Sequence, residues 1–314
     1  MKVLVAGATS VPGIPVVEAL LDGGHDVFGL TRSPTKSDVI AATGATPVVG
    51  DVLDRREIAD VVETVAPDAI VSLLTTLPKY GPMQLWQFRP AIRLWRDGAT
   101  NLLAAAQHAG VRRLVAESVV FAYGYGPLGS VPLLESDPYP GPPPVERGSA
   151  MLDALRGMER AVLGSGQLND TAGIVLRYGL FHGAGVPHAE LMTRLAKLWL
   201  MPVPGGGAVH SWIALDDVAQ ATVAAVEHGL GGELYNIVDD EPVSFRTYLN
   251  AVAAQLHRPK PLGIPNALVR LASPYGAAAF GRTQAPISNA KAKRDLHWAP
   301  KYPDYRSVIA TMGG

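Results

Sequence analysis

The chain has no cysteine. That excludes disulfides, thiolate metal sites and a cysteine nucleophile. Net charge is almost absent too, at −1 from 27 Lys+Arg against 28 Asp+Glu. Such a balance offers no basic face to nucleic acid or to an anionic membrane. Long apolar runs are missing, and none reaches the roughly 20 residues of a bilayer span. Residues 1–20 hold apolar stretches and a lysine, but Gly, Ser and Pro interrupt them and no small-residue cleavage pattern follows. They read as a first strand and helix rather than a targeting segment. A cytoplasmic protein is expected, with no nucleic-acid or membrane partner. No histidine or carboxylate grouping has metal-ligand spacing, so no metal is expected.

What is present is apolar: 48% of 314 residues are hydrophobic. That suffices for a large core, in two domains or in one α/β domain with an appended lobe. The chain opens MKVLVAGATSVPG. Val3, Leu4 and Val5 form the continuous apolar run of a strand buried on both faces. Gly7 permits a tight turn, and Gly13 lets the next helix pack close to the strand. The free N–H groups and partial positive charge of a helix start suit a pyrophosphate. The middle glycine of a G-x-x-G-x-x-G turn is Ser10 here, with Pro12 two residues on. Ser10 offers a hydroxyl to phosphate while its Cβ limits backbone approach. Gly7, Thr9, Ser10, Val11 and Gly13 are the candidate phosphate contacts.

Strands are expected over Lys2–Ala6, Asp26–Leu30, Thr46–Val49, Asp68–Leu74, Arg112–Glu117 and Thr171–Arg177. Helices are expected over Ile14–Asp22, Arg55–Val65, Leu85–Gly110 and Ala150–Leu163. This alternation predicts an α/β fold, a doubly wound parallel sheet of Rossmann type, with a smaller C-terminal substrate lobe. The nucleotide domain is assigned to 1–180, with some later segments returning to it, and the mixed lobe to 181–314. Residues 130–149, SVPLLESDPYPGPPPVERGS, hold too much proline for regular structure. They leave the ligand-side edge of the sheet and read as a lid over the substrate. At the end of the second strand stands Thr31-Arg32-Ser33, with Lys36 one turn on and no acid. An acid there binds the ribose 2′-OH of NAD, whereas arginine suits a 2′-phosphate. NADP(H) is therefore expected over NAD(H).

Several landmarks in order resemble the extended short-chain dehydrogenase/reductase superfamily, of the NAD-dependent epimerase/dehydratase type. They are the turn from Gly7 to Gly13, Gly50-Asp51-Val52-Leu53-Asp54, Gly98-Ala99-Thr100-Asn101-Leu102-Leu103 and Tyr123-Gly124. Then follow Leu176-Arg177-Tyr178-Gly179, Asp216-Asp217-Val218-Ala219, Tyr235-Asn236-Ile237-Val238-Asp239-Asp240 and Lys291-Ala292-Lys293-Arg294-Asp295-Leu296. The resemblance spans essentially the whole chain. It implies that Asp51 and Val52 lie by the adenine, and Thr75, after the fourth strand, joins the cofactor set. It also implies a catalytic Tyr-x-x-x-Lys pair, which is missing. Aligned on Glu159, the tyrosine position is Met151 and the lysine position is Leu155. The family's Ser/Thr falls on Val119, beside Ser118, and its active-site Asn falls on Trp95.

Substitute acids are sought at the strand ends. Ser118 lies one residue from the expected serine, either reoriented by a bulge or bonded to backbone. Glu117 is unusual in a buried strand, and is either a general base of raised pKa or an edge residue paired with Arg112 or Arg113. Tyr123 and Tyr125 follow in a glycine-flanked loop; Tyr123 also matches a structural Tyr-Gly. Tyr178 and His182 follow the sixth strand, where His182 has the right range for acid–base work. His188 and His210 lie further on, and Trp86, Trp95, Trp199 and Trp212 suit an apolar pocket or plain core. Ser118, Tyr123, Tyr178 and His182 are the catalytic candidates. The expected function is NADP(H)-dependent reduction of a carbonyl or conjugated double bond in a mostly apolar small molecule. A redox-neutral cyclase, dehydratase or isomerase on the same scaffold, or a non-enzymatic NADP(H) sensor, stays open, and a homodimer is possible.

Overall fold

The structure is a computed structural model that describes residues 1–129, 131–139, 149–167, 170–198, 202–205 and 207–313. Its strands are β1 (Lys2–Ala6), β2 (Asp26–Thr31), β3 (Thr46–Val49), β4 (Ala69–Ser72), β5 (Arg113–Val119) and β6 (Ala172–Tyr178). After them come β7 (Leu180–His182), β8 (Pro202–Pro204), β9 (Val209–His210), β10 (Trp212–Ala214) and β11 (Leu234–Ile237). The main sheet has seven strands in the order β11-β6-β5-β4-β1-β2-β3, every pair parallel. The order reverses between β1 and β4, which opens a crevice at the carboxyl ends of the strands.

Strand residues alternate between two cores because successive side chains point to opposite faces. Val3, Val5 and Val115 join one core. Leu4, Ala6 and Leu114 join the other. Both cores are apolar, so β1 carries no polar face at all. Helix α1 (Gly13–Asp22) begins the covering of the first face. Helix α2 (Ser37–Ala41) adds Ile40 to that first core. On the second face lie α3 (Arg55–Val65), α4 (Arg89–Arg93), α5 (Ala99–His108) and α6 (Ser149–Leu163), with α3 packed on α5 and α4 on α6. Helix α3 starts where Asp54 accepts from the N–H groups of Arg56 and Glu57 at 2.9 and 3.1 Å. It ends at Ala66, held left-handed at φ 45°. Asp is a preferred cap because its carboxylate satisfies the otherwise free first-turn donors.

The expected long helix over Leu85–Gly110 is a chain of turns. A 3₁₀ turn covers Leu85–Phe88, α4 follows, a π turn covers Leu94–Gly98, and α5 completes it. Such π turns occur as single-turn insertions within helices, and this one carries Trp95.

The chain after β6 both builds a lobe and returns to the sheet. Helix α7 is Pro187–Lys197 and α8 is Leu215–His228. Helix α8 packs on α1, and β11 then pairs with β6 at the sheet edge. The lobe itself holds the β7–β10 and β8 pairings and a core of Trp212, Phe245, Tyr248 and Tyr305. Of the expected lid, residues 130 and 140–148 lie outside the described residues. The stretch 131–139 is tied to the body: Leu133 donates to Pro286 O at 2.8 Å, and Tyr123 Oη donates to Leu134 O at 2.9 Å.

Candidate active site and cofactor cleft

The turn after β1 is tight. Gly7 sits at φ +88°, and a Cβ placed on it would stand 2.4 Å from the carbonyl oxygen of Leu73. A Cβ on Gly13 would stand 2.4 Å from the carbonyl oxygen of Ala8. Only glycine fits either place. The turn is closed by Ser10 N donating to Gly7 O at 2.9 Å and Gly13 N to Ser10 O at 3.0 Å. The N–H groups of Thr9 and Val11 donate to no backbone carbonyl among the described residues. Ser10 Oγ is buried without a hydrogen-bond partner. An unpartnered hydroxyl, two amides without a backbone acceptor and the start of a helix lie within one short turn, the kind of donor set a pyrophosphate takes. Pro12 occupies the helix-entry position, where a missing N–H removes nothing from the ladder.

At the end of β2, Arg32 and Lys36 are exposed. Neither joins an ion pair among the described residues. Beside them Ser33 Oγ and Thr35 Oγ1 are 2.8 Å apart. Asp51 Oδ1 accepts from Leu53 N at 2.9 Å, and the carbonyl of buried Val52 accepts from Asn101 Nδ2 at 3.0 Å. Thr75 N closes a turn onto Leu73 O at 3.0 Å. Next to it opens a cavity of about 550 Å³ lined by Thr76, Leu77, Trp86 and Arg89 among others. That volume is of the size that holds a small ligand.

The four catalytic candidates do not converge. Ser118 Oγ donates to Glu159 Oε1 at 2.5 Å, on the α6 side of the sheet. Tyr178 Oη and Thr222 Oγ1 lie 2.7 Å apart on the α8 side. Tyr123 Oη meets Asn236 as well as Leu134 O. His182 is buried in the lobe, its ring centroid 5.6 Å from that of Trp212, and both ring nitrogens lack partners. Burial, with a smaller contribution from His188, pulls its pKa down to about 3. His210 is pulled down to about 4, again by burial first. His188 Nε2 sits 2.8 Å from Phe181 O. Trp212 stacks on Tyr248 at 4.0 Å within the lobe core, whereas Trp86 is exposed and Trp199 lies outside the described residues.

Glu117 is paired with neither arginine. Arg112 binds Asp68 at 2.6 Å, and Arg113 donates to the carbonyls of Ala225 and Val226. Glu117 Oε2 has no partner, and burial pushes the carboxyl up to about 8.

Met151 and Leu155 are 4% and 0% exposed, so the α6 face that would carry a tyrosine and a lysine is hydrocarbon and thioether. Tyr125 Oη lies 3.7 Å from Met151 Sδ. Phe121 stacks on Tyr125 at 5.3 Å, and Tyr275 meets Tyr125 edge-on at 5.8 Å. This buried aromatic cluster went unseen in the sequence, since Tyr275 is distant along the chain and no spacing links it to Tyr125. Also unseen was the pairing of Glu159 with Arg177, although Arg177 stands in the Leu176–Gly179 landmark and Glu159 anchors the alignment of α6.

A protein of Streptomyces sp, 3-diazoavenalumate denitrifying reductase, is 36% identical over 98% of this chain and 99% of its own. A ketoreductase of Stigmatella aurantiaca, acting on 4-hydroxy-2-methyl-3-oxo-4-farnesyl-3,4-dihydroquinoline-1-oxide, is 27% identical over 94% of this chain and 85% of its own. Among solved structures, dTDP-glucose 4,6-dehydratase of Bacillus anthracis with NAD superposes with a TM-score of 0.77 at 18% identity, covering 99% of this chain and 94% of that one. UDP-glucose 4-epimerase of Thermus thermophilus with NAD superposes at 0.75 and 21% identity, covering 100% and 99%. These two share the fold. The profile of the NAD dependent epimerase/dehydratase family matches residues 3–238, and the chain belongs to that family.

Proposed function

We propose that the protein is an NADP(H)-dependent reductase. Hydride passes to an electrophilic group of an apolar, aromatic small molecule that asks little or no proton from the protein. The observation that carries this reading is the burial of two apolar side chains, Met151 and Leu155, at the positions to which the sequence resemblance assigns the family's tyrosine and lysine. Neither donates, accepts or tunes a proton. A carbonyl or conjugated double bond must gain a proton with its hydride. An arenediazonium carbon would need hydride alone, because the electron pair of its breaking C–N bond leaves with N₂; the bound cofactor would supply that hydride, and the protein would have no proton to give. The Streptomyces relative carries a diazo substrate and a denitrifying reduction in its name. The buried aromatic cluster of Phe121, Tyr125 and Tyr275 beside Met151 supports an aromatic substrate.

When bound, the cofactor supplies the hydride. Ser10 and the Thr9 and Val11 amides would hold its pyrophosphate, Arg32 and Lys36 its 2′-phosphate, and Asp51, Val52 and Thr75 the adenosine and ribose flanks. A second reading, ketone reduction, is favoured by the Tyr125 hydroxyl beside Met151 and by the Stigmatella relative.

The test is turnover of an aryl diazonium and of an aryl ketone with NADPH deuterated at C4. The expected result is N₂ release matched to NADPH oxidation, with deuterium on the ring carbon. Alcohol formation alone selects the ketone reading. Product formed equally fast without NADPH would replace both by redox-neutral chemistry.

A further inference from the structure

Glu117 lies on β5, two residues before its carboxyl end at Val119. Ligands of a doubly wound sheet sit beyond those ends. Glu117 is in register with Leu176 of β6, and the preceding pair joins Ala116 to Ser72 at the end of β4. Its side chain shares a face with Val115, in the core that also takes Leu73. Leu73 is the residue whose carbonyl abuts Gly7 in the phosphate turn. The carboxyl thus stands between the phosphate turn and the end of β6. It is 7% exposed, with Oε2 unpartnered.

Among the described residues no cation pairs with it. From β6 comes Tyr178, whose hydroxyl is held by Thr222 of α8. The acids at the ends of α8 are engaged elsewhere: Asp217 accepts from Lys301 N and Tyr302 N, and Glu227 faces His25. Arg113 is at the opposite end of β5, on α8 carbonyls. Next to Glu117, β4 is followed by Leu73 and β1 by the glycine turn, neither titratable. With burial as the one cause, the group titrates at about 8 and is a neutral acid at pH 7.

A buried polar group without a partner is uncommon, and it asks what completes it. A carboxylic acid presents one donor and one acceptor side by side. A primary carboxamide presents the same pair in reverse, so the two close a ring of two hydrogen bonds. A carboxylate, which only accepts, closes one. We propose that Glu117, as a carboxylic acid, receives the carboxamide of the nicotinamide and so orients the ring that delivers hydride. Glu117 is then a cofactor contact rather than a proton donor to substrate. The proposal rests on the cofactor reading above.

The experiment measures binding of NADPH and of 2′-phospho-ADP-ribose, which lacks the nicotinamide, to the whole protein on both sides of the Glu117 titration. The acid form is the binding form, so NADPH affinity is full below about 8 and falls as pH rises through it. The expected loss for NADPH is about tenfold, the worth of roughly one hydrogen bond, with 2′-phospho-ADP-ribose unchanged. Glu117→Gln keeps an amide that pairs with an amide, so NADPH binding becomes flat with pH and stays within about threefold of its neutral-pH strength. Glu117→Ala loses about tenfold for NADPH at neutral pH and nothing for 2′-phospho-ADP-ribose. Retained 2′-phospho-ADP-ribose binding shows that each variant is folded. A flat NADPH profile in the unaltered protein overturns the proposal and leaves the cofactor reading standing. An equal response of the two ligands to Glu117→Ala does the same. If neither ligand binds the unaltered protein, the cofactor reading falls and this proposal with it.

Discussion

Arg177 grips Glu159 at two points, Nε to Oε1 at 2.8 Å and Nη2 to Oε2 at 2.7 Å. The side chains are 3% and 0% exposed. The same carboxylate accepts from Ser118 Oγ and from Tyr139 Oη, each at 2.5 Å. One acid thereby joins β5, β6, α6 and the segment that leads toward the proline-rich loop. A two-pronged guanidinium–carboxylate pair fixes orientation as well as distance.

Removing one partner strands the other without water. Glu159→Ala is expected to destabilise the fold by about 3–5 kcal/mol, because an unpaired guanidinium stays buried. The double change Glu159→Leu with Arg177→Met is expected to recover much of that loss. Urea denaturation of both variants decides it; a double variant no more stable than the single one contradicts the account.

On the proposed function, cofactor choice turns on the end of β2. Arg32 and Lys36 are exposed there and engaged in no ion pair among the described residues. NADPH is expected to bind more tightly than NADH, and Arg32→Ala to remove most of the difference. A charge-assisted contact contributes ~1.5–3 kcal/mol, or roughly tenfold and more in affinity. Equal affinities for the two cofactors by titration would defeat this.

The phosphate turn tolerates no side chain at its first glycine. Gly7→Ala is strained twice over, by φ +88° and by a Cβ 2.4 Å from a backbone oxygen. The left-handed strain alone costs on the order of 1 kcal/mol, and the clash with backbone adds to it. A melting temperature unchanged from the unaltered protein would show that the turn is looser than described.

Stability should fall on the acid side through His182. Its folded pKa is about 3, against an ordinary 6.5, and burial is the main cause. Between those values the unfolded chain binds the proton and the folded chain does not, so stability rises with pH and is lost as pH falls. Each pH unit in that window is worth at most about 1.4 kcal/mol per group. His182→Phe removes the titration and keeps an aromatic ring among Trp212 and Tyr248. Its stability, followed by chemical denaturation, should depend less steeply on pH below neutrality; an unaltered slope would mean the ring is solvated.

Local physics was legible because it is written in neighbouring residues. The apolar run Val3-Leu4-Val5 forces a doubly buried strand wherever it folds, and β1 is where it was expected. Thr46–Val49 and Arg55–Val65 have their expected bounds, since Pro, Gly and a capping Asp punctuate them. The helix expected over Leu85–Gly110 differs because a π turn registers in backbone bonding and leaves composition unchanged. The parallel sheet and the glycine turn after its first strand were likewise expected, and the family is the one whose landmarks the chain carries.

What the sequence alone determined was therefore the layering and the place of the glycine turn after the first strand, each a matter of residues close in the chain. Which side chains meet was decided by the tertiary structure. Ser118 and Glu117 are adjacent in sequence, yet the pleat sends one to Glu159 on α6 and leaves the other unpartnered on the opposite face. Arg112 and Arg113, near enough along the chain to pair with Glu117, are drawn to Asp68 and to carbonyls of α8 instead. Burial then sets the charge: a carboxyl shut away from water, and unpaired with any cation among the described residues, holds its proton, and no pattern of neighbours reveals that before the chain has closed around it.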